Sequence, residues 1–192
     1  MQANKFKFTV TALTLVVLLW GFWLKFGTSP TAFHTEGYHE IMKKHIEYVP
    51  YVVRTHENAI VGLHDDAKSV LIYRYSDRMC GPCYSADLKE LRLFMETFRK
   101  LKCIVLPAYF DDNRSNRIKM AAETEGFSHI NIPPDSLPLP INSNGEDMRY
   151  FAVLDKHGQV GMVFFPTRGR QDLTRLYFNE IKRFFTDDET DF

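Results

Sequence analysis

The sequence lacks features that would indicate several classes of protein. It has only three cysteines in 192 residues, an odd and small number that argues against a disulfide scaffold. Lysine plus arginine and aspartate plus glutamate number 24 each, so the formal net charge is zero and a basic footprint for nucleic acid is missing. No internal repeat is visible. With 45% hydrophobic and 25% charged residues, the composition is that of a globular protein with one real core.

A metal or cofactor site has little support in the sequence. The seven histidines are scattered, and no two of them have a convincing ligand spacing. His39-Glu40 followed by His45 misses the H-E-x-x-H pattern, whose second histidine comes four residues after the first. One C-x-x-C supplies only two of the four ligands of a structural zinc site. We therefore expect neither a metal nor a cofactor.

An uncharged apolar run stands near the start of the sequence. Residues 8–24 carry no charge over 17 positions, which is near the lower limit for a helix that crosses a bilayer. Lys5 and Lys7 precede the run, and Trp20 and Trp23 lie at its far end, where aromatic rings favour the headgroup region. The pattern predicts a transmembrane anchor, although a cleaved secretory signal has a similar basic start and apolar middle.

The predicted anchor sets the expected location of the rest of the chain. We place the anchor at residues 8–26, after a short cytoplasmic N-terminus at 1–7. The positive-inside rule then keeps the two lysines in the cytoplasm and sends the remaining residues to the extracytoplasmic or periplasmic side of a cell membrane. Thiol–disulfide chemistry is common in such oxidising compartments.

Beyond the anchor the sequence predicts a helical lead-in at 27–65, an α/β domain at 66–186 and an acidic tail at 187–192. The lead-in has apolar residues at helical intervals until Pro50 interrupts them, and either packs on the domain or serves as a stalk. Apolar runs, helical periods and turn residues predict these elements of the domain: strands at 69–73, 103–110, 150–155 and 159–165, helices at 80–100, 113–125 and 170–186, a hairpin turn at 156–158, and a loop at 127–147.

The motif Cys80-Gly81-Pro82-Cys83 falls between the first predicted strand and the first helix of the domain. Cys80 would lie at the helix N-terminus, where unpaired N–H groups and the helix dipole favour a thiolate. Cys83 would follow one turn later, close enough to resolve a mixed disulfide. This spacing indicates Cys80 as nucleophile and Cys83 as resolving thiol, with a structural disulfide as the alternative.

With this motif at a strand-to-helix junction, the chain resembles the thioredoxin family, and more narrowly its membrane-anchored envelope members. The resemblance covers residues 66–186, and the segment 151–158, ending in an Asp-x-x-Gly turn, also looks like the envelope subfamily. It implies a thioredoxin-like fold, a mixed sheet flanked by helices, here preceded by a transmembrane helix. It also implies an active-site tetrapeptide made of the two cysteines with Gly81 and Pro82.

Three positions depart from the family pattern. Met79 stands where the family usually has tryptophan, and Arg74 stands where thioredoxin itself has a buried acid. The proline expected before the strand near Tyr150 is missing, and Arg149 occupies that part of the sequence. We expect Met79 and Arg149 to line the substrate groove. Arg74 and Arg78 would stabilise a thiolate if either approached the sulfur atoms.

The resemblance implies a membrane-tethered thiol–disulfide oxidoreductase that reduces disulfides of exported proteins. Its partners would be protein disulfide substrates and a thiol electron donor, with no nucleic acid. A non-catalytic interaction module of a cell-envelope complex is the alternative, motivated by the missing proline and tryptophan. A peroxiredoxin is a third hypothesis, but residues 73–77 lack the proline and threonine that normally precede its cysteine. The remaining cysteine, Cys103, lies on an apolar strand, which indicates a buried small side chain.

Overall fold

The structure, a computed structural model, describes residues 30–59, 69–99, 101–155 and 157–187. Its helices are α1 (Pro30–His45), α2 (Val49–Ala59), α3 (Gly81–Thr97), α4 (Arg114–Glu123) and α5 (Gln171–Asp187). Its strands are β1 (Val70–Ser76), β2 (Lys102–Ala108), β3 (Ser128–His129), β4 (Tyr150–Leu154) and β5 (Val160–Phe164). The chain divides into two compact units, residues 1–37 and 38–192, and the sheet belongs to the second.

The strands form one mixed sheet in the order β3-β2-β1-β4-β5. β1 runs parallel to β2, with Val70 opposite Lys102 and Ser76 opposite Ala108, and α3 makes the crossover that a parallel pair requires. β4 runs antiparallel to β1, and β5 antiparallel to β4. This arrangement confirms the predicted thioredoxin-like α/β fold with a mixed sheet flanked by helices.

One face of the sheet, the front face, packs against α3 and α5. Alternate residues of β1 point to opposite faces, and Leu71, Tyr73 and Tyr75 belong to the front cluster. Phe94 of α3 stacks on Phe178 of α5 with ring centroids 4.7 Å apart. Full burial of one such side chain contributes roughly 1.5–3 kcal/mol, so these contacts fix both helices against the sheet.

The opposite face, the back face, packs against α2 and the long connection that leads to β4. Val70 and Ile72 of β1 belong to this cluster, together with Val52 of α2 and Leu137 of the connection. Arg74 follows them in the alternation and is also fully buried. The back face therefore places a charged side chain where the front face has aromatic rings.

The described part of the predicted lead-in consists of α1 and α2. Pro50 falls in the first turn of α2, where the absent N–H needs no intrahelical partner. Ile41 and Val52 are both buried in the core clusters. The part of the lead-in from Ile41 to His56 therefore packs on the domain.

The connection at 127–147, predicted to be a loop, contains the short strand β3. Ser128 pairs in parallel with Ile104, and His129 with Val105. Two residues are too few to show an alternating pattern in the sequence, which is why the prediction missed this strand. The predicted hairpin turn is confirmed: the Asp155 carboxylate accepts a hydrogen bond of 2.8 Å from the backbone N–H of His157.

None of the helices among the described residues is long and apolar enough to cross a membrane. The predicted anchor at 8–26 lies outside these residues, as do most of the acidic tail and the cytoplasmic N-terminus. The anchor therefore stays a prediction.

Candidate active site

The turn between β1 and α3 places the cysteine motif at the end of the central strand. The buried Ser76 hydroxyl accepts a hydrogen bond of 3.1 Å from the Arg78 N–H, and the Ser76 carbonyl accepts one of 3.2 Å from the Met79 N–H. Cys80 caps α3, and Pro82 lies in its first turn. Pro82 suits this position because its φ is already helical and its missing N–H would have no partner there.

Cys80 and Cys83 are joined by a disulfide, with their Cα atoms 5.3 Å apart. The Cys80 carbonyl accepts a hydrogen bond of 2.9 Å from the Cys83 N–H, so the helical turn closes around the bond. Cys80 is exposed, whereas Cys83 is half-buried. An external thiolate or disulfide therefore meets Cys80 first, which is the order that exchange through a mixed disulfide requires.

Both cysteines line a groove of about 560 Å³. Three segments form its walls: residues 78–79 before the helix, residues 142–149 of the long connection, and residues 165–168 after β5. The predicted groove residues Met79 and Arg149 both lie on this lining, while Gly81 and Pro82 lie in the helix. The groove also receives Arg78, Arg168, Glu146 and Asp147, so its lining carries three arginines and two acids.

Arg149, directly before β4, forms an ion pair with Asp87 of α3. Both side chains are largely buried, at 13% exposed for Arg149 and 4% for Asp87. The Tyr73 hydroxyl donates a second hydrogen bond of 2.9 Å to the same carboxylate. Burial raises the pKa of Asp87, and the Arg149 charge opposes that rise.

Sequence reasoning missed Asp87, although a signal was present. Asp87 lies four residues after Cys83 and one before Leu88, on the buried side of α3 with Tyr84 and Leu91. A single acidic residue within an apolar helical stripe needs a partner, because burying an unpaired carboxylate is costly. Its partner comes from a residue 62 positions away in sequence, which local patterns do not reveal.

A cluster of tyrosine hydroxyls around Glu123 supports the same end of α3. Glu123 accepts hydrogen bonds of 2.6 Å from Tyr84, 2.6 Å from Tyr109 and 3.1 Å from Tyr75. Tyr84 follows Cys83 directly, and its hydroxyl oxygen would lie 3.5 Å from a Cβ added at Gly81. The cluster therefore ties the first turn of α3 to β1 and α4.

Arg74 does not approach the cysteines, contrary to one of the roles considered for it. Its guanidinium belongs to the back face and donates hydrogen bonds to the carbonyls of Leu106 and Ile132, at 3.2 and 2.9 Å, and to that of Leu137. Arg78 does reach the groove, with its guanidinium carbon 3.3 Å from the centre of the Phe110 ring. Of the two arginines, only Arg78 therefore lines the groove with the cysteines.

The third cysteine has no part in the groove. Cys103 is buried in β2 within the front cluster, and burial raises the pKa of its thiol to about 12. Its thiol therefore stays protonated and shielded at neutral pH. In the part of the chain that the structure describes, no three histidine, cysteine, aspartate or glutamate side chains are grouped so that they could hold a metal ion.

Comparisons with known proteins give matches to solved structures only. No model of a known protein family matches the sequence, and no curated protein does. A protein from Bacteroides vulgatus assigned as a thiol-disulfide oxidoreductase shares 19% identity, with 62% of this chain and 76% of that chain covered and a TM-score of 0.42. Peroxiredoxin Q from Xanthomonas campestris shares 17% identity over 58% of this chain and 79% of its own, with a TM-score of 0.41.

Proposed function

We propose that this protein is a membrane-tethered thiol–disulfide oxidoreductase that reduces disulfides of exported proteins. One observation carries the proposal: the exposed Cys80 and the half-buried Cys83 occupy the N-terminal turn of α3 on the wall of an open groove. A purely structural disulfide has no need of an exposed sulfur at a helix N-terminus, where a thiolate is stabilised.

The reaction begins with the reduced cysteine pair. The Cys80 thiolate attacks one sulfur of a substrate disulfide and forms a mixed disulfide, while the other substrate sulfur leaves as a thiolate and takes up a proton. Cys83 then loses its proton and attacks the Cys80 sulfur, which releases the second substrate thiol. The substrate has gained two electrons and two protons, and a dithiol donor returns the Cys80–Cys83 disulfide to the reduced state.

The same proposal includes tethering by residues 8–26, with the domain on the extracytoplasmic side. Its support is the uncharged run at 8–24 preceded by Lys5 and Lys7. An integral anchor predicts that the full chain stays with the membrane pellet after alkaline carbonate extraction. Release into the supernatant would contradict tethering and leave the redox proposal intact.

The redox proposal is tested with the full chain in detergent, using insulin as the disulfide substrate and dithiothreitol as the donor. We expect Cys80→Ser to lower the rate of insulin reduction to the uncatalysed rate. Cys83→Ser should accumulate a mixed disulfide with the substrate, since the resolving thiol is absent. Cys103→Ser is the matched control and should keep the wild-type rate, because Cys103 is buried away from the groove. A wild-type rate in Cys80→Ser would refute the proposal.

A non-catalytic interaction module is the second candidate function. The observation that favours it is Arg149, a charged side chain at the groove position where thioredoxin-like enzymes are expected to have proline. This function predicts no turnover even in the native protein, and loss of partner binding when residues 127–147 are changed rather than the cysteines. Consumption of hydrogen peroxide in a single turnover would instead favour a peroxidase.

A further inference from the structure

The Asp87–Arg149 ion pair lies beside the cysteines and has no part in the exchange reaction described above. Asp87 follows Cys83 by four residues on α3, a separation that places side chains on the same helical face about 5–6 Å apart at Cβ. Arg149 approaches from the other wall and lines the groove with both cysteines. The pair thus connects α3 to the wall of the groove that Arg149 forms.

The surroundings of Asp87 hold it where it can bind Arg149. Tyr73 donates to it from β1, and Arg149 contacts it from the segment before β4. The nearby acid on its own helix, Glu90, is engaged elsewhere by Arg175 of α5, through hydrogen bonds of 2.8 and 2.7 Å. Arg149 is therefore the cation paired with Asp87. The groove also receives Glu146 and Asp147 from the segment that carries Arg149, and Arg78 and Arg168 from the other walls, and these four charges are the same in every variant compared below.

We propose that Asp87 is a positioning residue that holds Arg149 and cancels its charge, and thereby limits how strongly the groove stabilises the Cys80 thiolate. The inference rests on the proposed redox function of the cysteine pair. Its physical basis is that a cation on the same groove as a thiolate favours the ionised sulfur, and that Coulomb interactions are stronger in a partly buried site than in bulk water. A stabilised thiolate also stabilises the reduced pair and makes it more oxidising, so the neutral ion pair keeps this protein on the reducing side.

Two variants test the direction in which the Asp87 charge changes the thiolate of Cys80. Asp87→Asn keeps the shape and a carbonyl acceptor for Arg149 but leaves the arginine charge uncancelled. We expect the pH midpoint for iodoacetamide alkylation of Cys80, read by peptide mass spectrometry, to fall by roughly half to one unit, a threefold to tenfold gain in thiolate. The equilibrium with glutathione should shift by a similar factor toward the reduced pair, where tenfold corresponds to about 30 mV.

The double variant Asp87→Asn with Arg149→Met restores the net charge of the wild type. We expect its alkylation midpoint to return to within about 0.3 units of the wild-type value, because the uncancelled cation is gone. A merely structural role predicts the opposite, since removing both partners would disturb the site at least as much as removing one. Failure of the single variant to lower the midpoint, or of the double variant to restore it, would overturn the inference.

Two further variants keep the test decisive. Glu90→Gln is the matched control, a buried acid on the same helix whose partner lies on α5, and it should leave the midpoint unchanged. Tyr73→Phe removes only the hydroxyl that donates a hydrogen bond to Asp87. It should shift the alkylation midpoint of Cys80 in the same direction as Asp87→Asn, by a smaller amount. If Asp87→Asn does not fold, Tyr73→Phe decides, and an unchanged midpoint then overturns the inference.

Alkylation and glutathione equilibration need only a reducible cysteine pair and no protein substrate. A chain that fails to reduce insulin but shows the expected midpoints would refute the proposed function and support this inference. A chain that reduces insulin, but in which Asp87→Asn leaves the alkylation midpoint unshifted, would support the proposed function and refute this inference.

Discussion

The front and back faces of the sheet are both buried, but they are built from different chemistry. The front face holds α3 and α5 with stacked rings, such as Tyr73 on Phe151 with centroids 4.4 Å apart. The back face buries the Arg74 guanidinium and the His56 ring, and His45 is enclosed beside β5 by Phe164 and Phe165. Only the front face carries the cysteines.

The front face supports α3, the helix that carries the cysteine pair. The back face holds the segments around it, α2 and the long connection before β4. The contacts of α3 with the sheet and with α5 are mostly apolar and aromatic, and such contacts are insensitive to protonation. The charged groups that also hold this helix are Asp87 and Glu123. The back face instead holds the long connection through the hydrogen bonds that Arg74 donates to its carbonyls. We therefore expect the back face to respond more strongly to the loss of one charged group and to acid.

Replacement of Arg74 should have the largest effect on stability. Arg74→Met removes the hydrogen bonds that the guanidinium donates to the carbonyls of Leu106, Ile132 and Leu137, at an expected cost of about 4 kcal/mol in the free energy of unfolding measured with urea. Arg74→Lys should recover only part of this loss, because one ammonium lacks the fork of donors that a guanidinium has.

A front-face arginine provides the control for Arg74. Arg175 binds Glu90 with two hydrogen bonds, but its side chain is 64% exposed. Arg175→Met should therefore cost less than Arg74→Met, about 1–2 kcal/mol, chiefly because it leaves the Glu90 carboxylate, 7% exposed, without its partner. Equal losses of unfolding free energy for Arg74→Met and Arg175→Met would contradict the expected difference between the two faces.

Acid should produce the next largest effect, through His45 and His56. Burial lowers the pKa of each ring from 6.5 to about 4, so the unfolded chain binds more protons than the folded one between these values. The contribution of each neutral ring to stability is fully present above pH 6.5 and is lost as the pH falls toward 4. We expect roughly 2 kcal/mol per histidine to be lost between pH 7 and 4.5.

The variant His45→Phe isolates one of these contributions. It should flatten the fall in unfolding free energy between pH 7 and 4.5 by roughly 2 kcal/mol, since phenylalanine fits among aromatic rings and takes up no proton. An unchanged slope in His45→Phe would show that this histidine is not the group that titrates.

The smallest effect should come from the polar cluster of the front face. Glu123→Gln replaces one of the two oxygens that accept from Tyr75, Tyr84 and Tyr109, at an expected cost of about 1 kcal/mol in thermal or urea unfolding. Glu125→Gln, at an exposed position two residues further on, should cost nothing measurable. A loss as large as that of Arg74→Met would show that the front face also depends on one buried polar group.

The parts of the structure that local sequence patterns encode were the ones that could be predicted. The helical stripe of α3 and the turn at Asp155–Gly158 depend on residues within one or two turns of each other, and both follow the prediction. The position of Cys80 at a strand-to-helix junction follows from the same patterns. The hydrophobic periodicity of the sequence therefore predicted the strand and the helix that position the candidate site.

The remaining parts depend on contacts between distant residues. The Asp87–Arg149 pair joins positions 62 apart, and the bond from Arg74 to Leu137 joins positions 63 apart. The sequence shows only that the first acid lies in an apolar stripe and that an arginine interrupts a β-branched strand. Which carbonyl or carboxylate satisfies each of them is decided by the folded connection before β4.

Because Cys103 is buried in β2, labelling of the folded protein with a thiol reagent reports on Cys80 and Cys83 without removal of the third cysteine. When the pair is reduced, a thiol-specific mass tag applied to the folded protein reacts with Cys80 and Cys83 and not with Cys103, because the Cys103 thiol is enclosed and protonated at neutral pH. The number of tags on the folded chain therefore follows the oxidation state of Cys80 and Cys83 alone. The oxidation state of the site can thus be measured in cells on the unaltered sequence.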